Sequence, residues 1–207
     1  MMILGFLILI YSIILHEVAH GFVADRLGDP TARLSGRLTL DPRPHIDPFN
    51  TILLPLMLFL LQSPVIFGAA KPVPVDPFNF RDPKKDLALV ALSGPLTNIL
   101  IAVVLSIVLR LVPLFVLNTD ILTFLSQGLF YGIEANLILA FFNLFPLPPL
   151  DGFKVVGGIL PDDLARQWMS LERYGFFLLF FFLIFFQGII FRFINPFVNF
   201  FNRLLLG

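Results

Sequence analysis

The chain has 207 residues, 57% of them hydrophobic and only 14% charged, with a mean hydropathy of +0.91. A soluble domain is roughly 45–50% apolar and about 25% charged, so this chain is short of water-facing surface, which excludes a soluble globular enzyme and a disordered tail. Fourteen Lys+Arg balance fourteen Asp+Glu, so no basic field marks a nucleic-acid binder. Cysteine is absent, which leaves any metal to His, Asp or Glu.

The apolar residues fall in long blocks, and a helix needs about 20 of them to cross a bilayer. Residues 2–24 form the first block, interrupted by His16, Glu17 and His20. It lacks a basic leader and reads as a retained span rather than a cleaved signal. Residues 50–67 are shorter and carry Pro55 and Pro64, which predicts a re-entrant or partial helix. The stretch 70–77, Ala-Lys-Pro-Val-Pro-Val-Asp-Pro, has the composition of an extended or edge-strand segment. Residues 87–117 and 121–145 predict two full spans. A Phe-rich span at 174–191 follows, with a mixed tail from Arg192 to Arg203. No internal repeat is visible, so the sequence predicts one domain over 1–207. Its fold class is an all-α polytopic membrane protein of four to five transmembrane helices, a partial helix and a small extended segment. The core lies at about 2–160, and the Phe-rich helix and tail fill 174–207.

Charge sets the topology. If 50–67 dips and returns, residues 25–86 and 146–173 share one side and carry eleven Lys/Arg, against Arg110 alone opposite. That predicts a cytoplasmic 25–86 in a plasma-membrane protein, with the N-terminus outside.

Ionisable groups within an apolar span are costly and point to function. His16-Glu17-Val18-Ala19-His20 places two imidazoles at i and i+4 on one helical face, with Glu17 one position round. This is the H-E-x-x-H spacing of zinc peptidases; the alternative is a pair of structural histidines with Glu17 as counter-ion. A catalytic zinc needs a third protein ligand. Asp151 is the candidate, in Asn143-Leu-Phe-Pro-Leu-Pro-Pro-Leu-Asp151-Gly152, although an Asp there also suits a helix N-cap. With 50–67 returning, His20 and Asp151 fall at one depth, toward the cytoplasmic end. A metal held there would activate a water, with Glu17 as general base and acid.

Within Gly94-Pro-Leu-Thr-Asn98, Asn98 is a candidate for binding substrate or for hydrogen-bonding between helices. Gly94 suits close helix packing, and Gly152 the approach of a backbone or substrate; all three are candidate substrate-binding positions. Asn136 and Asn143 read as packing contacts, His45 as a locally hydrogen-bonded loop residue, and Glu134 as an outer-end acid that pairs or snorkels.

Together HEVAH, GPLTN at 94–98 and NLFPLPPLDG at 143–152 resemble the site-2 proteases, intramembrane zinc metalloproteases, over about residues 10–160. LTLDPRPHIDPFNTILLP and GAAKPVPVDPFNFRDPKK are similar to their compact bacterial and archaeal branch. The resemblance implies three core helices, one Zn2+ held by His16, His20 and Asp151, Glu17 as catalytic acid/base, and membrane-anchored proteins as substrates within the lipid bilayer. Two other classes stay open: a non-catalytic protein that binds membrane helices, and a metal or ion transporter, whose paired repeats are not visible here.

Overall fold

The computed structural model describes residues 2–60, 62, 68 and 70–207. Its elements are α1 (Met2–Leu27), α2 (Thr31–Leu34), α3 (Leu54–Leu60), α4 (Pro83–Phe115), α5 (Thr119–Asn143), α6 (Asp151–Ile159), α7 (Asp162–Met169), α8 (Gly175–Phe185) and α9 (Gln187–Leu206). Five helical segments among the described residues are long and apolar enough to cross a membrane: Ile3–Leu27, Pro83–Phe115, Thr119–Asn143, Asp162–Phe185 and Gly188–Leu206. The chain is an all-α polytopic membrane protein.

Both long interior helices begin a few residues before their apolar blocks, because polar caps start them. Asp82 accepts from Lys85 N and precedes Pro83 at the first helical position of α4. Asn118 accepts from Asp120 N and Ile121 N to open α5. Residues 174–191 do not form one uninterrupted span. The helix stops at Phe185, Phe186 is non-helical, and α9 starts at Gln187, next to Gly188, the weakest helix former around the break. The tail is therefore the body of α9, which runs antiparallel along α5. Phe193 packs on Phe145 and Phe197 on Phe141, while Asn202 Nδ2 donates to Glu134 Oε1 at 3.1 Å.

Helices α1, α4 and α5 form the centre. With no water to expel between helices in lipid, their association rests on close packing and interhelical hydrogen bonds. Two glycines let α1 and α5 approach in parallel. A Cβ at Gly128 would stand 2.5 Å from Leu4, and one at Gly132 would stand 2.9 Å from Ile8. One further turn along, Asn136 Nδ2 donates to Ser12 Oγ at 2.9 Å. Helix α4 runs antiparallel to α1, since His20 meets Val90 and His16 meets Asn98. Residues 28–82 thus begin and end at the same end of the bundle, as a returning 50–67 requires. Within that stretch, Pro48–Leu53 is a π-helix leading into α3; positions 61, 63–67 and 69 lie outside the described residues.

The extended reading of 70–76 is also seen, without a strand ladder among the described residues. Its backbone is pinned along its length. Lys71 N donates to His45 O at 2.8 Å, and Arg37 Nη2 donates to Lys71 O at 2.6 Å. Val73 N donates to Glu17 Oε2 at 2.9 Å, and Asp76 N to Asp29 Oδ2 at 2.7 Å. Asp29 is fully buried just past α1, where Gly28 turns the chain at φ +114, and it also accepts from Thr31 N, Thr31 Oγ1 and Asn79 Nδ2. Burial pushes its carboxyl up, but the Thr31, Asp76 and Asn79 donors outweigh this and hold it below its ordinary 3.8.

A folded-state carboxyl held low adds stability that is present above the unfolded value and lost as pH falls through the folded one. Asp29→Ala strips a buried acceptor from several donors and is expected to cost about 1–3 kcal/mol at neutral pH. Thermal unfolding in detergent at pH 7 and pH 3 checks this: the gap between wild type and variant should narrow at pH 3.

Candidate metal centre

His16 and His20 project from one face of α1, in the half nearer its C-terminal end. Both are buried, at 5% and 9% exposure. Asp151 reaches them because 144–150 turns back from the end of α5 and starts α6 at Asp151. This reversal brings backbone against backbone. A Cβ at Gly152 would lie 2.1 Å from Leu144 O and 2.8 Å from Phe145 O. Gly152 therefore serves the approach of another segment of this chain.

The three side chains converge. His16 Nε2 lies 3.1 Å from Asp151 Oδ2, His20 Nε2 lies 3.3 Å from the same oxygen, and the two Nε2 atoms are 3.1 Å apart. His20 Nδ1 faces the Val90 carbonyl at 2.7 Å. A carbonyl only accepts, so Nδ1 carries a proton, and in the neutral ring, the form that binds a metal, Nε2 presents a lone pair. Asp151 Oδ2 is buried without a hydrogen-bond donor. Electron pairs facing one another in an apolar interior repel unless a cation sits among them. Tetrahedral zinc with arms of about 2.0–2.1 Å sets its ligands roughly 3.3 Å apart, so the residues present fit that ion. Among the described residues, this is the group of His and acidic side chains placed to hold a metal.

The other candidate positions take definite places. A Cβ on Gly94 would stand 2.6 Å from His16 Cε1, His16 Nε2 and His20 Cε1, so glycine there is what lets α4 lie against both rings. Asn98 is fully buried, with Oδ1 2.5 Å from His16 Nδ1 and Nδ2 3.0 Å from Asn136 Oδ1. Its amide is engaged at both ends. Glu17 sits beside the cluster on α1 and accepts from Val73 N. His45 stands apart, buried in its loop with Nε2 2.9 Å from the Thr39 carbonyl. Asn143 Nδ2 bonds the Leu139 carbonyl of its own helix. Sequence reasoning missed Ser12 and the Val73 amide. Ser12 was within reach: Ser12, His16 and His20 recur every four residues on one helical face.

An apolar helical bundle enclosing a His-His-Asp cluster defines a multi-pass membrane protein with a metallopeptidase type of centre. Residues 4–127 match the model of Peptidase family M50, and the chain belongs to this site-2 protease family as a zinc metallopeptidase. HEVAH lies inside the matched segment and Asp151 beyond it. The chain is 39% identical over 172 residues to the protein named "Putative zinc metalloprotease YwhC" of Bacillus subtilis (strain 168), covering 81% of this chain and 74% of that one. It is 32% identical over 175 residues to "Putative zinc metalloprotease Rip2" of Mycobacterium tuberculosis (strain ATCC 35801 / TMC 107 / Erdman), covering 84% and 63%. A match of 33% over 105 residues to "Putative zinc metalloprotease MJ0611" of Methanocaldococcus jannaschii (strain ATCC 43067 / DSM 2661 / JAL-1 / JCM 10045 / NBRC 100440) covers 47% and 48%. The chain thus spans about three quarters of the first of these relatives and less than two thirds of the other two. No solved structure matches it.

Two variants test the centre. Asp151→Ala removes one of three electron-pair donors, so detergent-purified protein should fall from about one zinc per chain to a small fraction of that by elemental analysis. Gly94→Ala keeps every donor but drives a methyl into both rings; it should weaken zinc retention by about tenfold or more while far-UV circular dichroism stays helical.

Proposed function

We propose that this zinc metallopeptidase cleaves within the membrane, hydrolysing peptide bonds in or near the transmembrane segments of membrane-anchored proteins. In this reading His16, His20 and Asp151 hold one Zn2+ per chain, and Glu17 is the general base and acid. The observation that carries it is the meeting of three buried electron-pair donors inside a bundle whose outer faces are apolar. His20 lies seven residues before the end of α1, roughly 10 Å along the helix axis, so water from that end has a short path to the site. The eleven Lys/Arg of 25–86 and 146–173, against Arg110 with Arg203 near it at the end of α9, support a cytoplasmic assignment of that end, in the plasma membrane.

A bound Zn2+ supplies Lewis-acid activation of a water and of the scissile carbonyl. The rest falls to side chains of this protein. The Val73 amide holds Oε2 of Glu17, which leaves Oε1 to take a proton from the attacking water and return it to the leaving amine. Substrate carbonyls in a helix are occupied by their own hydrogen bonds, so the substrate must unwind near the site before attack. Asn98 and Gly94 are assigned here to building the site rather than to touching substrate, since one is hydrogen-bonded at both ends and the other is covered by the rings.

Glu17→Gln keeps the shape and the Val73 contact but cannot take a proton. It should retain zinc at the wild-type level and lower cleavage of a reconstituted membrane-anchored reporter by about 10²-fold or more. Cleavage at the wild-type rate in that variant would overturn the assignment of Glu17 as base. Reporter capture without cleavage in wild type would instead favour a non-catalytic binder.

A further inference from the structure

A polar chain behind His16 is closed at every step. Ser12 Oγ donates to the Ile8 carbonyl at 2.8 Å, so its oxygen is left to accept. Asn136 Nδ2 sits 2.9 Å from Ser12 Oγ and 2.8 Å from the Gly132 carbonyl. A carbonyl cannot donate, so the amide of Asn136 has one allowed orientation, with its oxygen turned away toward Asn98. That oxygen must be met by a donor, which fixes the Asn98 amide in turn: Nδ2 toward Asn136 at 3.0 Å, Oδ1 toward His16 Nδ1 at 2.5 Å. The last step fixes the imidazole. Nδ1 of His16 carries the hydrogen, and Nε2 presents its lone pair to His20 and Asp151.

We infer that Asn98 and Asn136 are positioning residues for the metal centre, through which backbone carbonyls of α1 and α5 set the tautomer and ring orientation of His16. This rests on the reading of His16 as a ligand and extends it. Asn98 touches the imidazole directly and Asn136 touches no ligand at all, yet neither can turn without forcing an oxygen against an oxygen. Both are fully buried and Ser12 is 2% exposed, so water is not at hand to replace a lost partner, and a reoriented amide stays uncompensated. The chain also passes from α1 to α5 to α4 and back to α1. The hydrogen bonds that orient His16 are thus the same ones that hold the three helices in register. His20 has a shorter arrangement, with Nδ1 2.7 Å from the Val90 carbonyl and 3.4 Å from Ser93 Oγ, both on α4; the longer route on His16 crosses two helices.

The test is titration of Co2+ against a competing chelator, in the full metal-free chain in detergent, with the visible Co2+ spectrum as readout. Asn98→Leu keeps the branched shape and deletes the acceptor, and should weaken Co2+ affinity by about 10–100-fold. Asn98→Asp keeps an oxygen facing Nδ1 but sets its second oxygen against Asn136 Oδ1; combined with Asn136→Leu, which removes that opposing oxygen, it should bind Co2+ more tightly than the double Leu variant, which a purely packing role would not predict. Asn136→Leu should weaken affinity by about threefold or more, and the double Leu variant should bind no worse than Asn98→Leu, since Asn136 acts through Asn98. Wild-type affinity and an unchanged spectrum in Asn136→Leu would overturn the inference, as would additive losses in the double variant. Failure of wild type itself to bind Co2+ would overturn the metal-site reading instead.

Discussion

Three electron-pair donors brought within 3.3 Å of one another in an apolar bundle are the constraint around which the molecule is arranged. Lipid offers these groups no alternative partners, so the helices carrying them must be placed to within a fraction of an ångström. The small residues follow from that demand. Gly94 gives up a side chain where the rings stand, Gly152 where the chain folds back on the end of α5, and Gly128 and Gly132 where α1 meets α5. Each would be an ordinary packing position elsewhere in a membrane bundle. Here they act jointly, since an error at any of these contacts would separate the donors.

Much of this was legible in the sequence, and the reason is chemical. His16, Glu17 and His20 stand out because charge within an apolar run is costly, and Asp151 because a metal site needs a third ligand. The positions of Lys and Arg implied that 25–86 leaves and returns at one end, and the antiparallel pairing of α1 with α4 has that form. Roles were harder to read than positions. The ambiguity at Asn98, substrate contact or interhelical bond, depends on the direction of one amide, which is set by Gly132 on another helix. Residue type and spacing along α4 contain nothing about that carbonyl. Helix ends were displaced for a related reason: hydropathy follows the apolar run, while Asp82 and Asn118 start the helices from outside it. At the C-terminus apolar residues continue on both sides of Phe186, which conceals the break there, although Phe is denser before it than after.

The groups at the site are held by two different parts of the protein. The proposed ligands are fixed by the bundle itself: His16 through Asn98 and Asn136, His20 through Val90, and Asp151 through the close turn at Gly152. Glu17, one position round α1, faces away from those supports and is met by the extended 70–76 segment. That segment is tied to Asp29, Arg37 and the His45 carbonyl, all within 28–82. The proposed base therefore takes its hydrogen-bonding environment from the loops at one end of the bundle, while the donors take theirs from the interior. His45 belongs to this loop framework: buried and bonded to Thr39, it helps build the support for Lys71 without approaching the metal cluster.

Such a division has an energetic logic. Ligand geometry must survive any motion that admits a substrate, so it is built where opening is most expensive, among fully buried amides with no access to water. In the proposed function Glu17 would have to meet a water and an unwound peptide, and its contact is a backbone bond from an extended segment at the edge of the bundle. Backbone bonds of that kind can be exchanged for those of an incoming chain at little net cost. The polar groups of α1 thus face two environments within one helical turn. A spacing of one residue, between His16 and Glu17, is what turns a face committed to the helix interior into a face available to the loops.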